Sequence, residues 1–204
     1  MPTAGRDGTP KASSRHKISH PTGLNRVAGG DRMNGAEAIQ RAYEAILKSD
    51  FEAAVEWFLK AVALEPDNPD YYYRLSITCA RSDKLPEALG YAREALRLSG
   101  GESVYQLHLD YLLAKEKAVQ AEACLKQGGS QLYLAVSLLK EAIRLDPLSV
   151  EARLLLGYAL GELEEYPQAI AALKEASRLN PQHEGVRGLQ AELEKRLSKT
   201  LRNK

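Results

Sequence analysis

The chain has few of the residues from which metal and catalytic sites are built. Its 204 residues include two cysteines and four histidines. Cys79 and Cys124 lie 45 residues apart without a C-x-x-C motif, so we expect reduced thiols packed in the interior. His16 and His20 lie in the N-terminal segment, which has no helical periodicity, and His108 and His183 are far apart in the sequence, so we expect no helical pair of metal ligands. We therefore expect no metal, no cofactor and no catalytic residues, in a protein that is not an enzyme.

Long apolar runs and an excess of one charge are also lacking. No stretch reaches the ~20 consecutive apolar residues of a transmembrane helix. The formal net charge of +1 gives no general reason to expect binding to nucleic acid or to a membrane. A composition of 44% hydrophobic and 27% charged residues is typical of a globular protein. We expect it to be cytoplasmic.

Apolar periodicity is missing from the first 35 residues, which are rich in Gly, Ser, Thr and Pro. They carry six basic residues against two acidic ones. Such a segment buries too little apolar surface to offset the entropy of ordering, so we predict a disordered basic tail over residues 1–34. Three other interpretations stay open: a mitochondrial transit peptide, a basic arm that contacts nucleic acid, and an extension ahead of a true start at Met33.

One thirteen-residue pattern is present in four copies. The copies occupy residues 54–66, 88–100, 135–147 and 169–181. Each places small and apolar residues at i, i+4, i+7 and i+10, which is one face of an α-helix. Alanine lets two helices approach closely, and the proline or glycine at the end stops the helix. Another helical run and a short polar turn precede each copy, so the repeated unit is a helix, a turn and a helix.

The spacing of the copies indicates a known repeat. Ala54 and Ala88 are 34 residues apart, as are Ala135 and Ala169, and 34 residues is the period of the tetratricopeptide repeat. The best unit matches that repeat at Leu156, Gly157, Tyr166, Ala169, Ala176 and Pro181. Residues 36–181 therefore resemble the tetratricopeptide repeat (TPR) family. They depart from it at Ala42 and Ser76, which replace the usual glycine, at Arg41, which replaces a leucine, and in the first helix of the third unit.

This resemblance implies an all-α fold, a right-handed superhelical solenoid of TPR helix-turn-helix repeats with a C-terminal capping helix. The expected TPR domain spans residues 35–201, with repeats at about residues 35–67, 68–101, 102–148 and 149–182 and the capping helix at 183–201. Leu189, Leu193 and Leu197 give that last helix one apolar stripe among charged residues. A terminal cap needs one such face for the last repeat and another for water.

The third unit is longer than the others, because Ala88 and Ala135 are 47 residues apart. The excess lies in residues 102–127, which contain no Pro or Gly and predict a single helix of about 39 Å. Its apolar residues occupy two rows, one with Tyr105, Leu109, Leu112 and Val119 and another with Leu107, Tyr111, Ala114, Ala118 and Leu125. The extra turns could pack on the preceding unit or form a dimer interface. A division into two helices near Lys115 is the alternative.

The resemblance also implies where a partner binds, because TPR proteins line a concave groove with the first helix of each pair. The groove residues are then Ile39, Tyr43, Tyr73, Ile77, Leu154 and Tyr158. This lining predicts a protein-protein interaction module or adaptor that binds an apolar or amphipathic peptide or helix of a partner protein.

One mode of groove binding is not expected, and two alternatives to the groove remain. Some family members hold a C-terminal carboxylate with cations and an amide, but Ile39, Tyr43 and Leu154 occupy those places, so we expect no carboxylate-clamp binding. The long helix or the C-terminal helix could instead cover the groove residues. The chain could also be a self-associating structural scaffold that forms a homodimer through residues 102–127.

Overall fold

The computed structural model describes residues 33–203, so the predicted tail lies outside the described residues except for Met33 and Asn34. Nine helices and no strand are found in this described part. They are α1 (Gly35–Leu47), α2 (Phe51–Leu64), α3 (Pro69–Arg81), α4 (Leu85–Leu98), α5 (Ser103–Gln127), α6 (Gln131–Leu145), α7 (Val150–Glu162), α8 (Tyr166–Leu179) and α9 (Glu184–Arg202). The predicted all-α fold class is confirmed.

The first eight helices pair as hairpins whose turns share one construction. Ser49, Asp83 and Glu164 adopt left-handed backbone, with φ of 60°, 56° and 60°, at the middle of three equivalent turns. In each of these turns the N–H of the next residue donates to a carbonyl five residues earlier, at 2.9 Å. Gly128 and Gly129 make the corresponding turn between α5 and α6. Each turn satisfies carbonyls that the helix end leaves unpaired.

Small residues allow the two helices of a hairpin to touch. Ala54, Ala88, Ala135 and Ala169 are each 0% exposed. A Cβ on Gly157 would lie 2.6 Å from Cγ of Leu173 across the α7/α8 hairpin. Where Ser76 replaces this glycine, its hydroxyl donates to the Ala88 carbonyl at 2.7 Å, so the larger side chain is paired within the contact.

The long helix α5 is continuous over 25 residues and has no break near Lys115. It belongs to two apolar cores. Its first half, up to Leu112, belongs to the core that contains the buried residues of α1–α4, and its second half, from Ala114, belongs to the core that contains those of α6–α9. The buried face of α5 therefore changes along its length, because its neighbours change.

This change of neighbours corrects the two predicted apolar rows. Tyr105, Leu109 and Leu112 are buried as one row, but Val119 at the end of that row is 53% exposed. In the other row Ala114 is buried, whereas Leu107 and Tyr111 are 69% and 49% exposed. Neither row is buried throughout.

Polar faces close the array at both ends. On α1, the Arg41 guanidinium lies 4.8 Å from the ring centroid of Trp57, so a charge occupies the place where an inner repeat would pack a leucine. At the other end α9 packs on α7 and α8 and buries Val186 and Leu193. The Arg196 guanidinium also lies 3.7 Å from the Glu162 carboxylate. Terminal repeats of a solenoid need such polar outer faces for solubility.

Candidate functional site

The six predicted groove residues lie on the first helices of three hairpins: Ile39 and Tyr43 on α1, Tyr73 and Ile77 on α3, and Leu154 and Tyr158 on α7. Tyr43 is 39% and Tyr158 43% exposed. The other four are half-buried. Each is thus partly available to a partner and partly covered by other residues of the chain.

Tyr43 is fixed by contacts with two other helices. Its ring meets Phe58 of α2 edge-on, with centroids 5.9 Å apart and planes at 88°. The Arg74 guanidinium of α3 lies 5.4 Å from the same ring, and Arg74 is itself paired with Asp70 at 2.6 Å. These contacts restrict the rotamers of Tyr43 before any partner arrives.

Tyr73 of α3 contacts the long helix α5. Its ring is edge-on to Tyr105, with centroids 5.3 Å apart, and to His108, with centroids 5.0 Å apart. Both partners lie in the first half of α5. This half of α5 therefore covers part of Tyr73 and forms the next wall of the surface.

A pocket of about 410 Å³ lies between α3 and α5. Its lining consists of Ile77, Ala80, Arg81, Asp83, His108, Tyr111 and Lys115. Only Ile77 was among the predicted groove residues. On the α5 side, Leu107 and Tyr111 belong to one of the two apolar rows predicted from the sequence. They were not assigned to the groove.

His108 is held in this pocket by a partly buried hydrogen bond. The Ser76 hydroxyl has one proton and donates it to the Ala88 carbonyl, so the contact of 2.9 Å between Ser76 Oγ and His108 Nε2 requires Nε2–H to be the donor. In the neutral ring this leaves Nδ1 as an acceptor. Burial lowers the pKa of His108 from its ordinary value of 6.5, so the ring is neutral at pH 7.

The charged groups of the pocket are Arg81 at the end of α3, Asp83 in the following turn and Lys115 on α5. All three are exposed, and none forms an ion pair with another residue in the range 33–203. The carbonyls of Thr78 and Cys79 accept from backbone N–H groups of the turn. The side chains therefore give the pocket a net charge of +1 above an apolar floor.

The α7 pair does not line this pocket. Leu154 lies beside the first turn of α9, where a Cβ on Gly185 would be 3.8 Å from its Cδ2. The start of α9 thus adjoins Leu154, while Tyr158 remains 43% exposed. The predicted residues consequently form two areas, one on α1 and α3 beside the first half of α5, and one on α7.

The described residues also bear on metal binding and on membrane crossing. No group of three or more His, Cys, Asp or Glu side chains there is arranged to hold a metal ion. No helix between residues 33 and 203 combines the length and the hydropathy that crossing a bilayer requires.

Stacked helical hairpins with polar ends define the class of helical-repeat solenoids. Two family profiles identify the kind of repeat: residues 131–193 match a family described as "Tetratricopeptide repeat", and residues 44–78 match one described as "TPR repeat". The chain thus contains tetratricopeptide repeats, as the sequence predicted. It is accordingly a protein-interaction module, of a family whose members are typically not enzymes.

Two solved structures of MamA agree with this fold. A double mutant of MamA from Desulfovibrio magneticus RS-1 is 20% identical with a TM-score of 0.51, over 83% of this chain and 86% of its own. Another MamA crystal structure is 18% identical with a TM-score of 0.50, over 82% and 90% of the two chains. YrrB, described as "a TPR protein with an unusual peptide-binding site", is 19% identical with a TM-score of 0.48, over 77% and 74%. No curated protein sequence matches this chain.

Proposed function

We propose that the chain is a cytoplasmic adaptor that binds a peptide or helix of a partner protein on one continuous surface. This inner surface consists of Ile39 and Tyr43 of α1, Tyr73 and Ile77 of α3, and Leu107 and Tyr111 of α5. Leu154 and Tyr158 of α7 are proposed to extend it. The observation that carries the proposal is the exposure of large side chains on three of the four first helices: Tyr43 of α1, Tyr111 of α5 and Tyr158 of α7 are 39%, 49% and 43% exposed.

Such side chains suit protein recognition. Tyrosine is enriched among the residues that dominate binding energy, because it buries a large area and loses few rotamers. Tyr43 and Tyr73 are already restrained by ring contacts, which lowers the entropy lost on binding. An apolar or amphipathic helix would place residues at i, i+4 and i+7 on this surface. The places of a carboxylate clamp hold Ile39, Tyr43 and Leu154, so the proposed ligand is an internal segment rather than a C-terminal carboxylate.

The test begins with partner capture by the full-length chain from its own cells, followed by affinity measurement with the captured segment. Tyr43→Ala, Tyr73→Ala and Tyr158→Ala should each lose ~1–3 kcal/mol of binding. Tyr133→Ala is the matched control, because Tyr133 is 66% exposed on α6, the second helix of its hairpin. Unchanged affinity in all three groove variants, with folding intact by circular dichroism, would remove the proposal.

The exposed face of α5 supports a second candidate, a self-associating scaffold. Val104, Leu107, Tyr111 and Val119 are 47%, 69%, 49% and 53% exposed along this one helix. A homodimer through α5 would cover them. Light scattering across a hundredfold concentration range distinguishes the two: a mass that rises to that of a dimer and returns to a monomer in Leu107→Glu supports the scaffold, and a constant monomer mass excludes it.

A further inference from the structure

We propose that the pocket between α3 and α5 selects a partner helix that carries acidic side chains beside its apolar anchor. This inference rests on the proposed function of the inner surface and names the chemistry of its ligand. The pocket joins an apolar floor to two cations, and an acidic amphipathic helix complements both features.

The apolar floor of the pocket would bind the apolar anchor residue of the partner helix. Ile77 and Ala80 are half-buried on consecutive turns of α3, and Tyr111 faces the same pocket from α5. Leu107 stands one turn before Tyr111 and is 69% exposed. A leucine or phenylalanine of a partner helix that enters between the two helices would bury apolar surface on both walls.

Charged side chains at the edge of the pocket determine which charge on the ligand is favoured. Arg81 and Lys115 line the pocket from opposite walls, and neither has an ion-pair partner in the described residues. Some other surface cations are paired within the chain, such as Lys117 with Glu141 at 3.2 Å, so Arg81 and Lys115 are set apart by lying together over an apolar pocket. Asp83 offsets one of the two pocket cations and leaves a net charge of +1. A carboxylate of the partner therefore gains a pairing that this chain does not supply internally.

His108 does not supply the charge. It is neutral at pH 7, because burial lowers its pKa, and its Nε2–H is engaged by Ser76 at 2.9 Å. The preference for acidic ligands thus comes from Arg81 and Lys115, and it should persist above pH 7, where His108 stays neutral.

The test uses three fluorescein-labelled 16-residue helical peptides with leucine at i, i+4, i+7 and i+11. Their flanking positions carry glutamate, glutamine or lysine, and binding to the full-length chain is followed by fluorescence anisotropy. Two exposed ion pairs should make the glutamate peptide bind about fivefold more tightly than the glutamine peptide, with the lysine peptide weakest. The preference should shrink as salt is raised from low to physiological ionic strength.

The double variant Arg81→Glu with Lys115→Glu should reverse the order of the glutamate and lysine peptides. Its matched control is Arg93→Glu with Lys140→Glu, which changes the same number of charges at exposed positions on α4 and α6. Both variants keep the basic residues of the segment 1–32, so any contribution of that segment to peptide binding is the same in each.

The possible results separate the two proposals. Equal affinities for the three peptides, all weakened by Tyr73→Ala, would overturn the charge preference and leave the groove function standing. An acidic preference that survives in the Arg81/Lys115 variant would also overturn the assignment to this pocket. Absence of binding by all three peptides up to their solubility limit would contradict both the groove function and the charge preference.

Discussion

The α7/α8 contact makes a sharp prediction for Gly157→Ala. The new Cβ would lie 2.6 Å from Cγ and 2.7 Å from Cδ2 of Leu173, whose side chain is 0% exposed. Leu173 cannot swing into solvent, so either its rotamer or the distance between the helices must change. Overpacking of this kind costs ~1–3 kcal/mol of stability.

A second effect of the same substitution works in the opposite direction. Alanine in place of glycine inside a helix stabilises by ~0.5–1 kcal/mol. Gly188→Ala isolates this effect, because a Cβ on Gly188 of α9 meets no atom of the described chain within 4 Å. We expect Gly188→Ala to gain that amount, so the difference in unfolding free energy between the two variants should equal the overpacking term, ~1–3 kcal/mol.

Urea unfolding followed by circular dichroism at 222 nm measures this difference. Removing the obstacle with Leu173→Ala should change the sign: in that background Gly157→Ala should stabilise by about as much as Gly188→Ala does. If Gly157→Ala is as stable as Gly188→Ala in the parent background, the close helix contact described for this hairpin is wrong.

Three further predictions concern buried groups. Ala169→Glu puts a larger, charged side chain at a position that is 0% exposed, and should lower stability by more than about 3 kcal/mol; an unchanged melting temperature would contradict the stacked-hairpin fold. Burial raises the pKa of the Cys79 thiol to about 11, so in the native protein at pH 8 Cys79 should resist a thiol reagent, with labelling at this site in peptide maps appearing only in urea; rapid native labelling would refute its burial. Because burial lowers the pKa of His108, the unfolded chain binds its proton first, and stability should fall as pH drops through 6.5. His108→Gln should flatten that slope between pH 7.5 and 5.5 in urea titrations, and an unaltered slope would show that His108 is not buried as described.

The repeat fold could be read from the sequence because its determinants are local. A residue must be small where two helices touch. The four alanines predicted at such positions are all fully buried: Ala54, Ala88, Ala135 and Ala169. The spacing of 34 residues from Ala54 to Ala88 and from Ala135 to Ala169 indicated the family without any knowledge of tertiary contacts. The all-α class followed from the same periodicity.

The faces of α5 could not be assigned by periodicity, because they depend on which helices pack against each part of it. Val119 continues the row of Leu109 and Leu112 in sequence, yet it is exposed where the second core begins. Leu107 and Tyr111 are exposed for the corresponding reason in the first half of the helix. A hydrophobic pattern shows that a side chain is apolar, but not whether a neighbour covers it.

The pocket was missed for a related reason. His108 is positioned by Ser76, which is 32 residues away in the sequence. Arg81 and Lys115 line the same pocket only because α3 and α5 are adjacent. A histidine and two cations scattered over 35 residues carry no signal in the sequence. The assignment of Ile39, Tyr43, Tyr73, Ile77, Leu154 and Tyr158 to a binding groove stays a prediction that only a binding experiment tests.

Site-specific photo-cross-linking tests the proposed inner surface most directly. A benzoylphenylalanine replaces Tyr111 of α5 in one variant and Tyr133 of α6 in another, since both positions are exposed tyrosines on helices of the same hairpin. If a partner binds the proposed inner surface, irradiation in living cells should give a covalent adduct with that protein at position 111 and little or none at position 133. Adducts of equal yield at both positions, or at position 133 alone, would contradict the proposed surface.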